Sequence, residues 1–327
     1  MSQITAIVIN MVSPGGVDRL ELADRDIGTP GPQEIRLRQT AIGVNFLDTY
    51  HRTGLYPLPL PAVLGVEAVG EVTAIGEDVA GFKIGDRVVY AGAPVGAYAS
   101  DRILPAWRAI ALPQAISDET AAAGFLKGLT VQMLMRCIYT VRAGDWVLVQ
   151  GAVGGLGTLL CQWAKRDGAT VIGTVGSIAK ADLARANGAD HVIIGRDADF
   201  AAEVAKLTDG HLVDVAYDGV GGDTLAKTLA CVRSFGTVAS IGQAAGPIPK
   251  LAVEEIGPRR SLIFARPSLM GYVSDPATYR LAAGEVLDAI ANGIAPAIGQ
   301  RYALVDAARA QDDLQHGRTQ GSLILRV

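Results

Sequence analysis

The stretch WVLVQGAVGGLG, residues 146–157, constrains this chain more than any other. An apolar strand runs into Gly151, Gly154, Gly155 and Gly157, spaced G-x-x-G-G-x-G, and LGTLLCQWAKRDG follows. In that second piece Leu156, Leu159, Leu160, Trp163 and Ala164 fall at i, i+3, i+4, i+7 and i+8, the apolar face of a helix that packs on a sheet. Glycine at such places lets the chain turn tightly, lets a pyrophosphate approach the backbone and lets the helix pack closely. The unpaired N–H groups at the helix start then face the phosphates. Glycine turns are common by themselves. A strand before this one and an amphipathic helix after it make it a variant of the dinucleotide-binding fingerprint.

The turn lies deep in the chain, and its surroundings explain why. After Asp118 apolar runs alternate with helical patterns: WVLVQ, TVIGT, HVII, LVDVAYD, GTVASIG and SLIFA are separated by AKADLARANG, FAAEVAKLTDG and DTLAKTLACV. Such alternation predicts a doubly wound parallel sheet with helices on both faces. Residues 1–122 instead hold short apolar stretches broken by glycine and proline, among them ITAIVIN, EIRLRQTAIGVN, AVGEVTAIG and DRVVYAGA. These read as an antiparallel β domain or small barrel. Beyond residue 266 the alternation stops, leaving a helical stretch near 276–292 and a terminal strand, SLILRV. The expected organisation is a β-rich domain over 1–122, a nucleotide domain over 123–265, and a return to the first domain over 266–327. No internal repeat or low-complexity segment interrupts it.

The chain has 327 residues, half of them hydrophobic and 19% charged, with a net charge of −4. That is a globular composition, and the acidic balance argues against a nucleic-acid partner. The start MSQITAIVINMVSPGG has no basic segment ahead of an apolar one, so no secretory signal is read. The uncharged run Trp146–Ala164 contains four glycines and two glutamines and reads as strand, turn and helix rather than a membrane span. Cys137, Cys161 and Cys231 lie far apart, as do His51, His191, His211 and His316, so neither a disulfide framework nor a metal site is expected. A reducing cytoplasm fits this usage.

The choice of dinucleotide depends on the end of the second strand. An NAD site usually carries an acid about 20 residues past the glycines to hold the ribose 2′-OH. Residues 168–181, GATVIGTVGSIAKA, contain none. Gly176, Ser177 and Lys180 stand there instead, offering a hydroxyl and a cation to a 2′-phosphate. NADP(H) is therefore expected, with a solvated surface lysine as the alternative reading of Lys180.

With GEVTAIGEDVAGFKIGDRVV at 70–89, AVGGLG at the centre and the return at the C-terminus, the chain resembles the medium-chain dehydrogenase/reductase superfamily. The closer similarity is to its zeta-crystallin-like NADPH:quinone oxidoreductase branch, through AIGVNFLDTYHRTGLYP (41–57), FLKGLTVQ (125–132), LCQWAKRDGATVIGTVGS (160–177) and RPSLMGY (266–272). The resemblance implies an α/β protein made of a GroES-like β-rich catalytic domain and a Rossmann domain, with an active-site cleft between them. Zinc-dependent members bind their metal with a cysteine and a histidine. Here Asn45 stands at the cysteine position, the Gly-His-Glu motif reads Gly65-Val66-Glu67, and the four-cysteine structural loop is missing. A zinc-free site is implied.

The resemblance further implies that Asn45, Asp48, Tyr50 and Tyr56 form the catalytic, nicotinamide-end group, Tyr56 offering its ring to a flat substrate or its OH to an oxygen. Packing is the alternative role of Tyr50 and Tyr56. Cofactor contacts are implied for Phe46, Thr130, Gly154, Gly155, Leu156, Gly157, Gly176, Ser177, Lys180 and Arg196. In the C-terminal loops of the sheet, Gly219 (within Asp218-Gly219-Val220), Ile241 and Gly242 (before Gln243), Phe264, Ala265 and Arg266 join them, each also an ordinary strand-end residue. Arg318 is the remaining one. Three positions depart from the family: Gly195 replaces a tyrosine of some members, Arg318 follows Gly317 one place away from the usual arginine, and Met133 replaces an aromatic. The implied activity is reduction of a quinone by NADPH. The rivals are an NADPH-dependent 2-alkenal or enone reductase and a non-catalytic NADPH-binding protein, crystallin-like or RNA-binding. SLIFA is expected at the sheet edge, where pairing would give a homodimer.

Overall fold

The computed structural model describes residues 4–327. The chain divides into two compact units, one formed by the residues through Leu129 together with Met270–Val327, the other by Thr130–Leu269. The first division falls inside the helix Asp118–Met133, which ends in a π-helical turn, Leu134–Ile138.

Among the described residues the first unit carries a seven-stranded and a three-stranded sheet. The long strand Glu34–Val44 organises the larger one. Its first half alternates, burying Ile35, Leu37 and Gln39 while Arg36, Arg38 and Thr40 face outward; its second half, Ala41–Val44, is buried throughout. The change follows its neighbours. Glu67–Ile75 pairs antiparallel with it along most of its length, Asp101–Pro105 pairs with its start, and the terminal strand Ser322–Arg326 pairs with its end, from Leu323↔Val44 to Arg326↔Ala41. The C-terminus thus returns to the first unit. Ile35, Leu37, Ile42, Val72, Val88, Leu323 and Leu325 meet in one core.

The second unit is a six-stranded parallel sheet in the order His191–Ile194, Thr170–Val175, Trp146–Val149, Val213–Asp218, Val232–Ser240, Ile263–Ala265. The six apolar runs of the sequence are these six strands, and the doubly wound expectation holds. Strand Val213–Asp218 is buried along its whole length, as a strand covered on both faces must be. Trp146–Val149 lies where the strand order reverses, so the loop at its C-terminal end opens at the switch point where doubly wound folds bind ligands. Ile263–Ala265 forms one edge.

Candidate active site and cofactor site

In the second unit the strand Trp146–Val149 leads through Gly151, at φ +71°, to Gly154 at the head of the helix Gly155–Arg166. No side chain caps that helix start, so its first N–H groups remain for an anion. A Cβ on Gly157 would lie 2.2 Å from the Gly151 carbonyl oxygen, and no side chain fits there. Leu156 is half-buried beside it.

The end of the second strand, Thr170–Val175, is followed by exposed Gly176 and Ser177 and by Lys180, which closes a short 3-10 turn. Val175 pairs with Ile194 on the next strand, and the exposed Arg196 follows with its Nε 3.8 Å from the place a Cβ on Gly176 would take. Four of the expected residues, Gly176, Ser177, Lys180 and Arg196, thus gather at the ends of two adjacent strands.

Gly219, Ile241, Gly242, Phe264, Ala265 and Arg266 form a second group. A Cβ on Gly242 would meet the Gly219 carbonyl oxygen at 2.6 Å, and the Ile241 N–H donates to the Asp218 carbonyl at 2.8 Å. Arg266 spends its Nη1 on the Ser240 carbonyl (3.2 Å), the Ser240 hydroxyl (3.1 Å) and the Gly242 carbonyl (3.3 Å). It braces this loop from the edge strand. Thr130 begins the unit, half-buried on its helix.

In the first unit Asn45 heads the helix Phe46–Arg52. Its carboxamide is shared by two opposite charges: Nδ2 donates to Glu67 Oε1 at 2.8 Å, and Oδ1 accepts from Lys127 Nζ at 2.8 Å. Lys127 Nζ lies 3.6 Å from Glu67 Oε1, and the Leu126 N–H donates to Glu67 Oε2 at 2.8 Å. Glu67 is fully buried. Burial raises its pKa, opposed by the Lys127 ammonium and by the hydrogen bonds from Asn45 and Leu126. Room for the carboxylate comes from Gly43, where a Cβ would sit 2.1 Å from Glu67 Oε1. These donors do not fit a zinc ion. They include no thiolate or imidazole, and an ammonium already answers the carboxylate.

Asp48, expected among the catalytic group, is fully buried. Its Oδ2 accepts from the Asn45 backbone N–H at 2.8 Å and from the Tyr98 hydroxyl at 3.0 Å, while Oδ1 has no hydrogen-bond partner. Burial pushes this carboxyl up to about 7. Through the Asn45 N–H it holds the helix start that carries Asn45. Burial likewise holds His51 down to about 4.

Tyr50 and Tyr56 meet edge to face at 5.5 Å between ring centres, with Phe46 6.3 Å beyond Tyr50. Tyr56 is 40% exposed, and Leu55 and Leu60 beside it are also exposed. Three aromatic rings, one of them exposed, thus lie together. Arg318 is exposed near the C-terminus. It belongs to the first unit, where its Nε binds Asp313 at 2.7 Å and its Nη2 pairs with Asp312.

Sequence reasoning missed Lys127 and the buried polar side chains Gln150, Thr174 and Thr228. One signal was available: Lys127 is the only charge in AAAGFLKGLTVQ, and a lysine within an apolar helix requires a partner.

Residues 31–114 match the family described as alcohol dehydrogenase GroES-like domain, and residues 155–286 the family described as zinc-binding dehydrogenase. The quinone oxidoreductase of Pseudomonas aeruginosa is 44% identical over 97% of this chain and 98% of its own. A 2-haloacrylate reductase from a Burkholderia species is 41% identical over 95% and 96%. Among solved structures, Escherichia coli quinone oxidoreductase complexed with NADPH superposes with a TM-score of 0.94 at 41% identity, covering 98% of this chain and all of that one. No helix among the described residues is long and apolar enough to cross a membrane.

Proposed function

The chain belongs to the quinone oxidoreductase family of the medium-chain dehydrogenases/reductases, and we propose that it is a zinc-independent, NADPH-dependent quinone oxidoreductase. The observation that carries the cofactor choice is the acid-free strand end at which Ser177, Lys180 and Arg196 gather beside Gly176. A 2′-phosphate there meets a hydroxyl and two cations.

NADPH, when bound, supplies a hydride; the quinone takes it with one proton from the medium and leaves as hydroquinone. The residues of the chain bind and orient. Gly154, Gly155, Leu156 and Gly157 offer the N–H groups of a helix start to the pyrophosphate. Gly219, Ile241, Gly242, Phe264, Ala265 and Arg266 receive the nicotinamide half, with Thr130 and Phe46 as further contacts. Tyr50 and Tyr56 give a flat acceptor an aromatic surface, and Asn45 offers a polar group whose orientation Glu67 and Lys127 fix.

The test is NADPH oxidation in EDTA with 1,4-benzoquinone, with a 2-alkenal and with a 2-haloacrylate, each repeated with NADH. Rapid quinone turnover with NADPH preferred is expected. The 2-haloacrylate reductase relative favours a second reading, reduction of an activated double bond. There hydride goes to the β-carbon and a proton to the α-carbon, with the exposed Tyr56 hydroxyl as donor. Turnover confined to the unsaturated carbonyl compounds would select it, and tight NADPH binding without turnover on any acceptor would select a non-catalytic protein.

We further propose a homodimer formed through the edge strand Ile263–Ala265, where Ile263 is 55% and the neighbouring Phe235 73% exposed. A cytoplasmic location is proposed on the three cysteines, which form no disulfide.

A further inference from the structure

Behind the glycine turn runs a line of buried polar side chains that the cofactor contacts leave unused. The Gly151 N–H donates to the Thr174 hydroxyl at 3.1 Å, and that hydroxyl donates to Gln150 Oε1 at 2.7 Å. Gln150 Nε2 donates to the Thr228 hydroxyl at 3.0 Å, which donates to Asp218 Oδ2 at 2.8 Å. Asp218 Oδ1 closes the line by accepting the N–H groups of Val220 and Gly221, both at 2.9 Å. All four side-chain residues are buried, Thr228 and Asp218 completely.

Two properties distinguish this line from ordinary core filling. Its side-chain donors run in one direction, toward the Asp218 carboxylate, with the Thr224 carbonyl at 3.0 Å as a second acceptor for the Thr228 hydroxyl, so each bond polarises the next. It also crosses the switch point: Thr174 is on the strand to one side of Trp146–Val149, Asp218 ends the strand to the other side, and Thr228 comes from the helix Thr224–Leu229. The loop at its far end has no slack. Gly221 is at φ +67°, and a Cβ there would meet Gln243 Cα at 2.7 Å. Apolar residues of the same shape would leave the Gly151, Val220 and Gly221 N–H groups unpaired. Nor would they supply a fixed register between the two loops.

We propose that the chain Thr174, Gln150, Thr228 and Asp218 is a positioning device that sets the glycine turn against the Asp218–Gly221 loop, so that the pyrophosphate and nicotinamide ends of a dinucleotide are held in one register. It rests on the dinucleotide reading above. None of its four side chains is a catalytic residue; they act through the backbone of the two loops.

The test compares NADPH with adenosine 2′,5′-bisphosphate, which carries the adenine half alone, by calorimetric titration of the full chain. Thr228→Val keeps the shape and removes the hydroxyl; Thr228→Ser keeps the hydroxyl. The valine variant is expected to bind NADPH about tenfold more weakly, the effect of one buried group left unpaired. Its affinity for adenosine 2′,5′-bisphosphate should change by less than about twofold, and the serine variant should match wild type. Gln150→Met breaks the line at its middle and carries the same expectation should Thr228→Val not fold. Equal weakening of both ligands, or a lowered melting temperature with unchanged NADPH affinity, would overturn the proposal and leave a purely structural line. A wild-type chain that binds neither ligand would overturn the dinucleotide reading itself, before any variant is made.

Discussion

In the glycine turn it is at Gly157 that the fold itself demands glycine. Real Cβ contacts almost never fall below 3.0 Å, and an alanine methyl at Gly157 would sit 2.2 Å from the Gly151 carbonyl oxygen. The turn must therefore retreat by about 0.8 Å. It has little freedom to do so: Gly151 is held at φ +71°, its N–H is bound to Thr174, and its carbonyl accepts the Gly154 N–H at 3.0 Å. Overpacking of this kind costs about 1–3 kcal/mol, and the same free energy taken from ligand binding is about fivefold to a hundredfold in affinity. Gly154→Ala is the internal control. A Cβ at Gly154 would lie 3.4 Å from the same oxygen, in ordinary contact, at φ −74° and on the exposed side of the turn. Its methyl stands in the way of a phosphate and not of the chain. Thermal unfolding and fluorescence titration with NADPH separate the two. Gly157→Ala is expected to lose both melting temperature and affinity, Gly154→Ala affinity alone. A Gly157→Ala protein with wild-type melting temperature and affinity would refute the reasoning.

Lys180→Ala is expected to raise the KM for NADPH about tenfold, the worth of one charge-assisted contact, and to leave that for NADH unchanged; equal effects on both would remove the phosphate role. Asp48 has a folded-state pKa near 7, above its ordinary 3.8, so the folded protein binds the extra proton and the group's stabilising contribution is lost as pH rises through that window. Asp48→Asn should therefore gain stability relative to wild type by about 1.4 kcal/mol per pH unit between pH 4 and 7, read as urea midpoints; parallel curves for the two proteins would contradict the burial argument. Ile263→Lys puts a charge on the edge strand and should convert a dimer to a monomer in light scattering, while a wild-type monomer at micromolar concentration would eliminate the dimer.

The second unit was legible because its four central strands are mostly buried and read as apolar runs between helices. WVLVQ, LVDVAYD and their neighbours announce themselves. The first unit was legible only where its strands are buried. Leu20–Asp26, LELADRD, exposes Glu21, Leu22 and the last three residues and reads as a charged loop. Ile298–Ala303 buries only Tyr302, and the helix Ala307–Gln315 carries AARAQDDLQ. These elements take their stability from a neighbour already in place, so their own sequences hold little of the pattern.

The same division runs through the site. A glycine turn, a strand end without acids and a lysine after it are local in sequence, and chemistry picks them out. What holds them is not local. Asn45 is fixed by Glu67, 22 positions away, and by Lys127, 82 away; Gln150 is fixed by Thr228, 78 away. At Asn45 the residue type follows once its partners are known, since a carboxamide is the neutral group that can donate to a carboxylate with one atom and accept from an ammonium with another. A carboxylate there would repel Glu67, and an apolar side chain would leave both Glu67 and Lys127 short of a partner in a buried place. The asparagine that looks in sequence like the loss of a zinc ligand is, in the folded chain, the link between the two charges.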